Sequence, residues 1–288
     1  MAALSVLQTQ VALKLIDQNN RSVSAAQITT LLNEAIEHWV NETEEILQTN
    51  AYSVTAKQLI YSGPSDIITL KRAEFAQVNY APLEIVNYAE LQAMSGYNLN
   101  FGSSNPIAIE MFGTPNSRLF KLWPAPGTTS ATTTCDGAIS STSAATIEVV
   151  DASQLRSPAG YIQIDSEKIM YQNLSTTNNN ILLCRRGEFG TTAATHLDAA
   201  TVTQLDLVVM YSRRAAALSA AGDVPEIDAR YHNAIAMKAV AEALKSDGRP
   251  AEAAPFDQEY LYRLNRAKRD IKKIQQASPN IMLLGGSY

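Results

Sequence analysis

Few residues of this chain have the types and spacing for chemistry. The three histidines, His38, His196 and His232, lie too far apart for metal-ligand spacing. Cys135 and Cys184 form neither a disulfide framework nor a zinc pattern. For His38 and His232, on predicted helices beside polar faces, an exposed or hydrogen-bonded histidine is preferred over a catalytic one. The segment Arg185-Arg186-Gly187-Glu188-Phe189-Gly190-Thr191-Thr192 is Gly-rich, but it falls between strands and not before a helix. The dipole that would hold a phosphate is missing, so the segment reads as a β-turn. No P-loop, dinucleotide loop or nucleophile elbow is written in the sequence. The expectation is a protein that is not an enzyme and that carries no cofactor and no metal.

The basic run holds Arg263, Arg266, Lys268, Arg269, Lys272 and Lys273. It could contact nucleic acid, meet an acidic partner protein, or simply face solvent. No aromatics interleave on that face for base stacking. Cations near the C-terminal end of a helix are favoured by its dipole, so a solvated face is preferred. Net charge is −5 over 288 residues, which argues against general avidity for nucleic acid or acidic membranes. With 46% hydrophobic and 18% charged residues, the chain has enough apolar mass for a sizeable core. No apolar run reaches the length of a membrane span, and the N-terminus lacks the form of a signal peptide. The expected compartment is a reducing cytosol.

The elements that must position these residues are helices at both ends. Asp223 to Ile274 reads as two helices joined at Ser246-Asp247-Gly248-Arg249-Pro250. Ile227, Tyr231, Ala234, Met237, Ala241 and Leu244 stripe the first; Phe256, Tyr260, Leu264, Ala267, Ile271 and Ile274 stripe the second. Asp223 with Glu226 predicts a capped start. Near the N-terminus, Leu4, Leu7, Val11 and Leu15 predict a helix over 3–17. Ser24 with Gln27 predicts a capping box on a second helix, striped by Ile28, Leu31, Leu32, Ala35, Trp39 and Ile46. Asn87 with Glu90 opens a short third helix.

Between them the pattern is β. Short antiparallel strands are expected around Tyr52–Thr55 and Lys57–Tyr61, and a hairpin over Ile107–Phe112 and Arg118–Trp123. Residues 128–146 are mostly Thr, Ser and Ala. Five short strands follow, Ile147–Val150, Tyr161–Ile164, Lys168–Gln172, Ile181–Cys184 and Thr201–Gln204, then Leu207–Tyr211. These predict a small β module without a large core, its two ends close together. The fold class expected is α+β: mainly an α-helical bundle with β-hairpins, interrupted by an inserted all-β domain. The expected domains are 1–127, the insertion 128–206, the returning helices 207–277, and a C-terminal arm 278–288. The apolar arm residues Ile281-Met282-Leu283-Leu284 either fold back on their own core or dock on another subunit.

In this order the pieces resemble the head-to-tail adaptor (connector) proteins of tailed bacteriophages. The resemblance rests on Ser24 to Ala35, on Tyr88-Ala89-Glu90-Leu91, and on the arm ending Leu119-Phe120-Lys121-Leu122-Trp123-Pro124-Ala125-Pro126. It rests also on Val224-Pro225-Glu226, Tyr231-His232-Asn233-Ala234-Ile235 and Asp247-Gly248 before the basic helix. The insertion departs from minimal members. Its segments Ile162 to Glu167 and Arg186 to His196 are similar to a small β module that recurs in phage virion proteins.

The resemblance implies a structural virion protein at the head–tail interface, assembled in the host cytoplasm. It implies a ring of about twelve copies beneath the portal, completing the DNA channel and receiving a tail nozzle or tube. Double-stranded DNA would pass without sequence-specific binding, as suits an acidic chain; no membrane is involved. Ile281, Met282, Leu283, Leu284 and Tyr288 are the portal-docking candidates. Arg263, Arg266, Arg269 and Lys273 on one face, with Glu37 and Glu44 from the acidic segment of the second helix, are the inter-subunit candidates. The alternative is a host-surface or glycan-binding virion protein, with Tyr161, Tyr171 and Phe189 of the β module as platforms.

Overall fold

The computed structural model describes residues 2–15, 23–76, 81–95 and 105–277. In chain order these form α1 (Leu4–Lys14), α2 (Ala25–Thr43), β1 (Leu47–Tyr52), β2 (Ile60–Ser62), β3 (Ile67–Phe75), β4 (Ala81–Pro82), β5 (Glu84–Val86) and α3 (Tyr88–Ser95). Then come β6 (Ala108–Thr114), β7 (Ser117–Trp123), β8 (Thr132–Thr134), β9 (Thr146–Glu148), β10 (Gly160–Ile164), β11 (Glu167–Tyr171), β12 (Asn173–Ser175), β13 (Asn180–Leu182), β14 (Thr201–Leu205) and β15 (Leu207–Arg213). Two helices, α4 (His232–Ser246) and α5 (Pro250–Ala277), close the described chain.

The expectation of a mainly helical bundle is wrong. About 34% of the structure is helix and 31% is strand, with four sheets beside five helices, so the protein is sheet-rich. The long helices dominate the periodic signal of the sequence. The strands are two to nine residues long and carry little signal each.

Among the described residues the chain divides into two compact units, the residues up to 47 with those from 212 onward, and residues 48–211. The first is helical. Here α4 is the central helix, packed by α1, α2 and α5. Its buried residues run around much of the helix, and Ala234, Ala236, Ala239, Ala241 and Ala243 let neighbours approach closely. The Ser24 capping box forms, with Gln27 N–H donating to Ser24 Oγ and Ser24 N–H to Gln27 Oε1. The N-terminus of α1 lacks a side-chain cap; its first N–H groups donate to Asp223 O and Ala221 O instead. Gly248, at φ +74°, ends α4. Arg249 N–H returns to Leu244 O and Gly248 N–H to Lys245 O, the two bonds of a Schellman turn. Pro250 then starts α5, where a missing N–H costs nothing.

The expected capped start at Asp223 differs. Asp223 caps the backbone of Ser219 and Ala220, and Glu226 pairs with Arg213. The helix begins later, after a 3-10 turn at Ala229–Tyr231 capped by Asp228. Pro225 and the residues after it thus form an ordered approach rather than a first turn.

The second unit holds the four sheets, with strand orders β1-β15-β3-β4, β2-β7-β6-β5, β11-β10-β14-β8 and β12-β13-β9. The predicted strands at 52–55 and 57–61 do not pair with each other; β1 and β2 belong to different sheets. The hairpin β6–β7 turns more tightly than expected, with Thr114 opposite Ser117 and Gly113 at φ +97° opposite Arg118. A Cβ on Gly113 would meet Ser117 O at 2.3 Å. Phe120 and Leu122 are buried with Val54, Tyr61, Leu70, Phe75, Ile109 and Tyr211.

Residues 132–205 make two of the sheets around their own core. Ile147, Val149, Ile162, Ile164, Ile169, Tyr171, Ile181 and Val202 are all buried there together. Short strands do build a substantial core here, because two sheets contribute to it. β8 and β12 were hidden in Thr- and Asn-rich sequence that carries no hydrophobic alternation.

Candidate assembly surfaces

The predicted docking residues Ile281, Met282, Leu283, Leu284 and Tyr288 lie outside the described residues. The inter-subunit candidates fall on the helical unit, and the structure sorts them. Arg263 and Arg266 share a groove of about 250 Å3 with Arg230, Tyr231, Glu259, Tyr262 and Asp270. Arg263 donates to Glu259 Oε1 at 2.6 Å, one helical turn away. Arg266 is exposed and has no partner among the described residues. Arg269 donates to the Asn265 carbonyl at 3.3 Å, and Lys273 is exposed. Lys268, from the same run, is instead spent within the chain: it pairs with Glu42 and ties α5 to α2.

Glu37 lines a second groove, of about 340 Å3, with Thr30, Asn33, Glu34, Ile36 and Arg214 to Ala217. Glu44 is elsewhere: it is the left-handed cap residue of α2, at φ +50°. The two predicted acidic candidates are therefore not brought together, whereas Glu34, one helical turn before Glu37, joins it.

Behind these surfaces lies an aromatic cluster. Trp39 is fully buried, its ring 5.0 Å from Tyr231 and 5.9 Å from Tyr260. Its Nε1–H donates to Glu45 Oε1 at 2.9 Å. Burial raises the Glu45 carboxyl above its ordinary value, and the Trp39 bond only partly offsets this. His38 Nδ1 lies 2.7 Å from Tyr260 Oη. His232 Nδ1 accepts from Ala2 N–H, and its Nε2 faces the Ile227 carbonyl, both at 3.2 Å. Both helical histidines are hydrogen-bonded.

Sequence reasoning missed the densest polar constellation. Glu167, wholly buried, receives the Arg186 guanidinium through Nε and Nη2, both at 2.7 Å. It also accepts the N–H groups of Gly187 and Ala194, each at 3.0 Å. His196 lies between two carboxylates, with Nδ1 2.8 Å from Asp165 and Nε2 2.8 Å from Glu167. Burial pushes the Glu167 carboxyl up, but the Arg186, Ala194 and His196 contacts outweigh it and hold it down at about 2. The Gly-rich segment thus closes around an internal carboxylate, not an external phosphate. A signal was available: Glu167 shares the inward face of β11 with Ile169 and Tyr171, a strand register where a charge requires a partner.

Two of the three proposed glycan platforms are not offered to solvent, and the third, Phe189, is half-buried. Tyr161 and Tyr171 are buried, and Phe189 packs on Tyr161 with ring centroids 4.9 Å apart. Among the described residues no group of His, Cys, Asp and Glu is placed to hold a metal ion, and no helix is long and apolar enough to cross a membrane.

Over residues 1–282 the chain matches the family model described as SU10 adaptor protein, and it belongs to that family. Membership makes it a virion structural protein and implies interaction with portal and tail proteins. No curated protein matches the chain.

Proposed function

We propose that this chain forms a ring of about twelve copies between portal and tail, completing the DNA channel and offering the tail its attachment surface. The observation that carries this reading is the adaptor-family match across residues 1–282. A closed ring needs two different complementary faces on each copy. The helical unit offers one groove rich in arginine and another rimmed by unpaired glutamates. A net charge of −5 suits a conduit that lets DNA slide, since phosphate affinity comes from Lys and Arg neutralisation. In this reading residues 128–206 are an inserted module that spaces or braces the ring, and the protein does no catalysis.

The arm 278–288 is assigned to the portal. Full-length chain and a chain lacking Pro279–Tyr288 are each mixed with the portal protein of the same virion and weighed by native mass spectrometry. The full-length chain is expected to load the portal as a ring; the shortened chain is expected to keep its melting temperature and fail to attach. Attachment by the shortened chain would remove the arm from the reading. No attachment by either would remove the adaptor ring itself.

A further inference from the structure

The two grooves match each other. On α5, Tyr262 and Arg266 are one turn apart, and Arg263 and Arg266 are three residues apart. On α2, Glu34 and Glu37 are also three residues apart. Both charge pairs therefore present the same spacing, about 5–6 Å between Cβ atoms. Glu34 and Glu37 are exposed and without a partner among the described residues, as is Arg266. Next to the arginines stand Leu261, 50% exposed, and Tyr262, 60% exposed, the most exposed aromatic side chain of the helical unit. The glutamates share their groove of about 340 Å3 with Ile36 and the Arg214–Ala217 wall.

The acidic groove is also rigid before anything enters it. Asn33 clamps Leu218 from both sides, Nδ2 to the carbonyl at 3.0 Å and Oδ1 from the N–H at 2.9 Å. Glu226 holds Arg213 through two bonds of 2.9 Å and the Ala216 N–H through a third. The wall 214–217 is thus fixed at both ends, and ordering it on binding costs little.

We propose that the Tyr262–Arg263–Arg266 edge of α5 in one copy docks into the Glu34–Glu37 groove of α2 in a second copy of this chain. Tyr262 enters the groove and the two arginines face the two glutamates. This rests on the ring reading above and names its contact. Because donor and acceptor surfaces differ, each copy has one of each left over, and the contact propagates until it closes. One aromatic anchor and two rim charge pairs make a weak single contact, so rings accumulate where a portal gathers the copies.

The test is a charge exchange in the full chain, assembled on the portal of the same virion. Glu34→Arg with Glu37→Arg sets like charges against each other across the contact, as does Arg263→Glu with Arg266→Glu. Each pair of substitutions is expected to lower ring occupancy by at least about tenfold, since like-charge juxtaposition opposes docking. All four together in one chain are expected to restore it to within about twofold. The sites are at the surface, and circular dichroism with thermal melting confirms folding of each variant. A second measurement needs no assembly yield: Glu34→Cys with Arg266→Cys is expected to cross-link between copies on the portal, and not within one. Wild-type rings that persist in either one-sided exchange, or no rescue by the fourfold exchange without that cross-link, would overturn the pairing and leave the ring standing. Absence of rings from the wild-type chain would instead overturn the ring reading on which the pairing rests.

Discussion

Ser130 Oγ donates to Asp206 Oδ2 at 2.7 Å, although the two residues are 76 apart in sequence. The same hydroxyl accepts the Val54 N–H at 2.8 Å, and Arg156 Nη2 donates to the other carboxylate oxygen at 3.0 Å. Asp206 also donates its N–H to Tyr52 O and accepts the Ala76 N–H on its carbonyl. One nearly buried residue thus joins the start, the middle and the end of the 128–206 stretch to the strands that flank it. The two ends of that stretch meet, although β7 before it and β15 after it belong to different sheets.

Asp206→Ala should be severe. It removes the Asp206 carboxylate from the largely buried Arg156 guanidinium, and breaking one partner of such a pair costs about 3–5 kcal/mol. Ser130→Ala should cost about 1–3 kcal/mol, because it takes the acceptor from the Val54 N–H and one donor from the Asp206 carboxylate, which keeps Arg156. The two share one network, so the double variant should cost clearly less than their sum. Urea denaturation of the three variants measures this. Additive losses would mean that the two side chains act independently.

Glu167 predicts an acid dependence. Its carboxyl is held at about 2, below its ordinary value of 4.5, so between those values the unfolded chain binds more protons than the folded one. The stability it contributes is fully present above 4.5 and is lost as pH falls toward 2. Glu167→Gln removes the charge while keeping the shape, and should cost about 3 kcal/mol at neutral pH. The gap between wild-type and variant urea midpoints should therefore narrow as pH falls from 4.5 toward 2. A gap that stays constant over that range would contradict the pairing.

What the sequence made legible follows from signal length. Ser24 with Gln27, the Gly248 stop and the Phe120–Leu122 alternation are local patterns, and each appears where its residues place it. Asn87 and Glu90 likewise exchange the two bonds of a capping box. The balance of helix and strand is hard to read because β4, β5, β8 and β12 are two or three residues each, too short for a period to register. Sheet membership of β1 and β2 depends on partners more than 50 residues away, which no local pattern encodes. At the surface, the basic run was visible but its division was not. Lys268 turns inward to Glu42 and Arg266 outward, although they are only two residues apart.

Lys168 predicts an alkaline dependence of the opposite origin. Burial holds its ammonium group down to about 8, while Nζ donates to Ala51 O at 2.7 Å and to Asn50 Oδ1 at 2.5 Å. Between 8 and the ordinary 10.5 the unfolded chain binds the extra proton, so this group makes the fold more stable as pH rises through that window. Lys168→Met removes the effect. The wild-type urea midpoint should rise relative to the variant from pH 8 to 10.5, and a parallel pair of curves would show that the ammonium is not desolvated.

The small residues of α4 set how closely α1, α2 and α5 approach it, and this gives two substitutions of opposite kind. Ala239 is fully buried within α4. Ala239→Leu adds three carbons to a site without room, and overpacking of this kind costs about 1–3 kcal/mol. Trp39→Ala empties a site of the neighbouring helix and should cost about 3–5 kcal/mol, with Glu45 left without its donor. Thermal melting of each variant reads both losses. The pair also separates packing from propensity, because Leu is nearly as good a helix former as Ala. A stability of Ala239→Leu equal to wild type would mean that helix propensity, and not close approach, accounts for the alanines of α4.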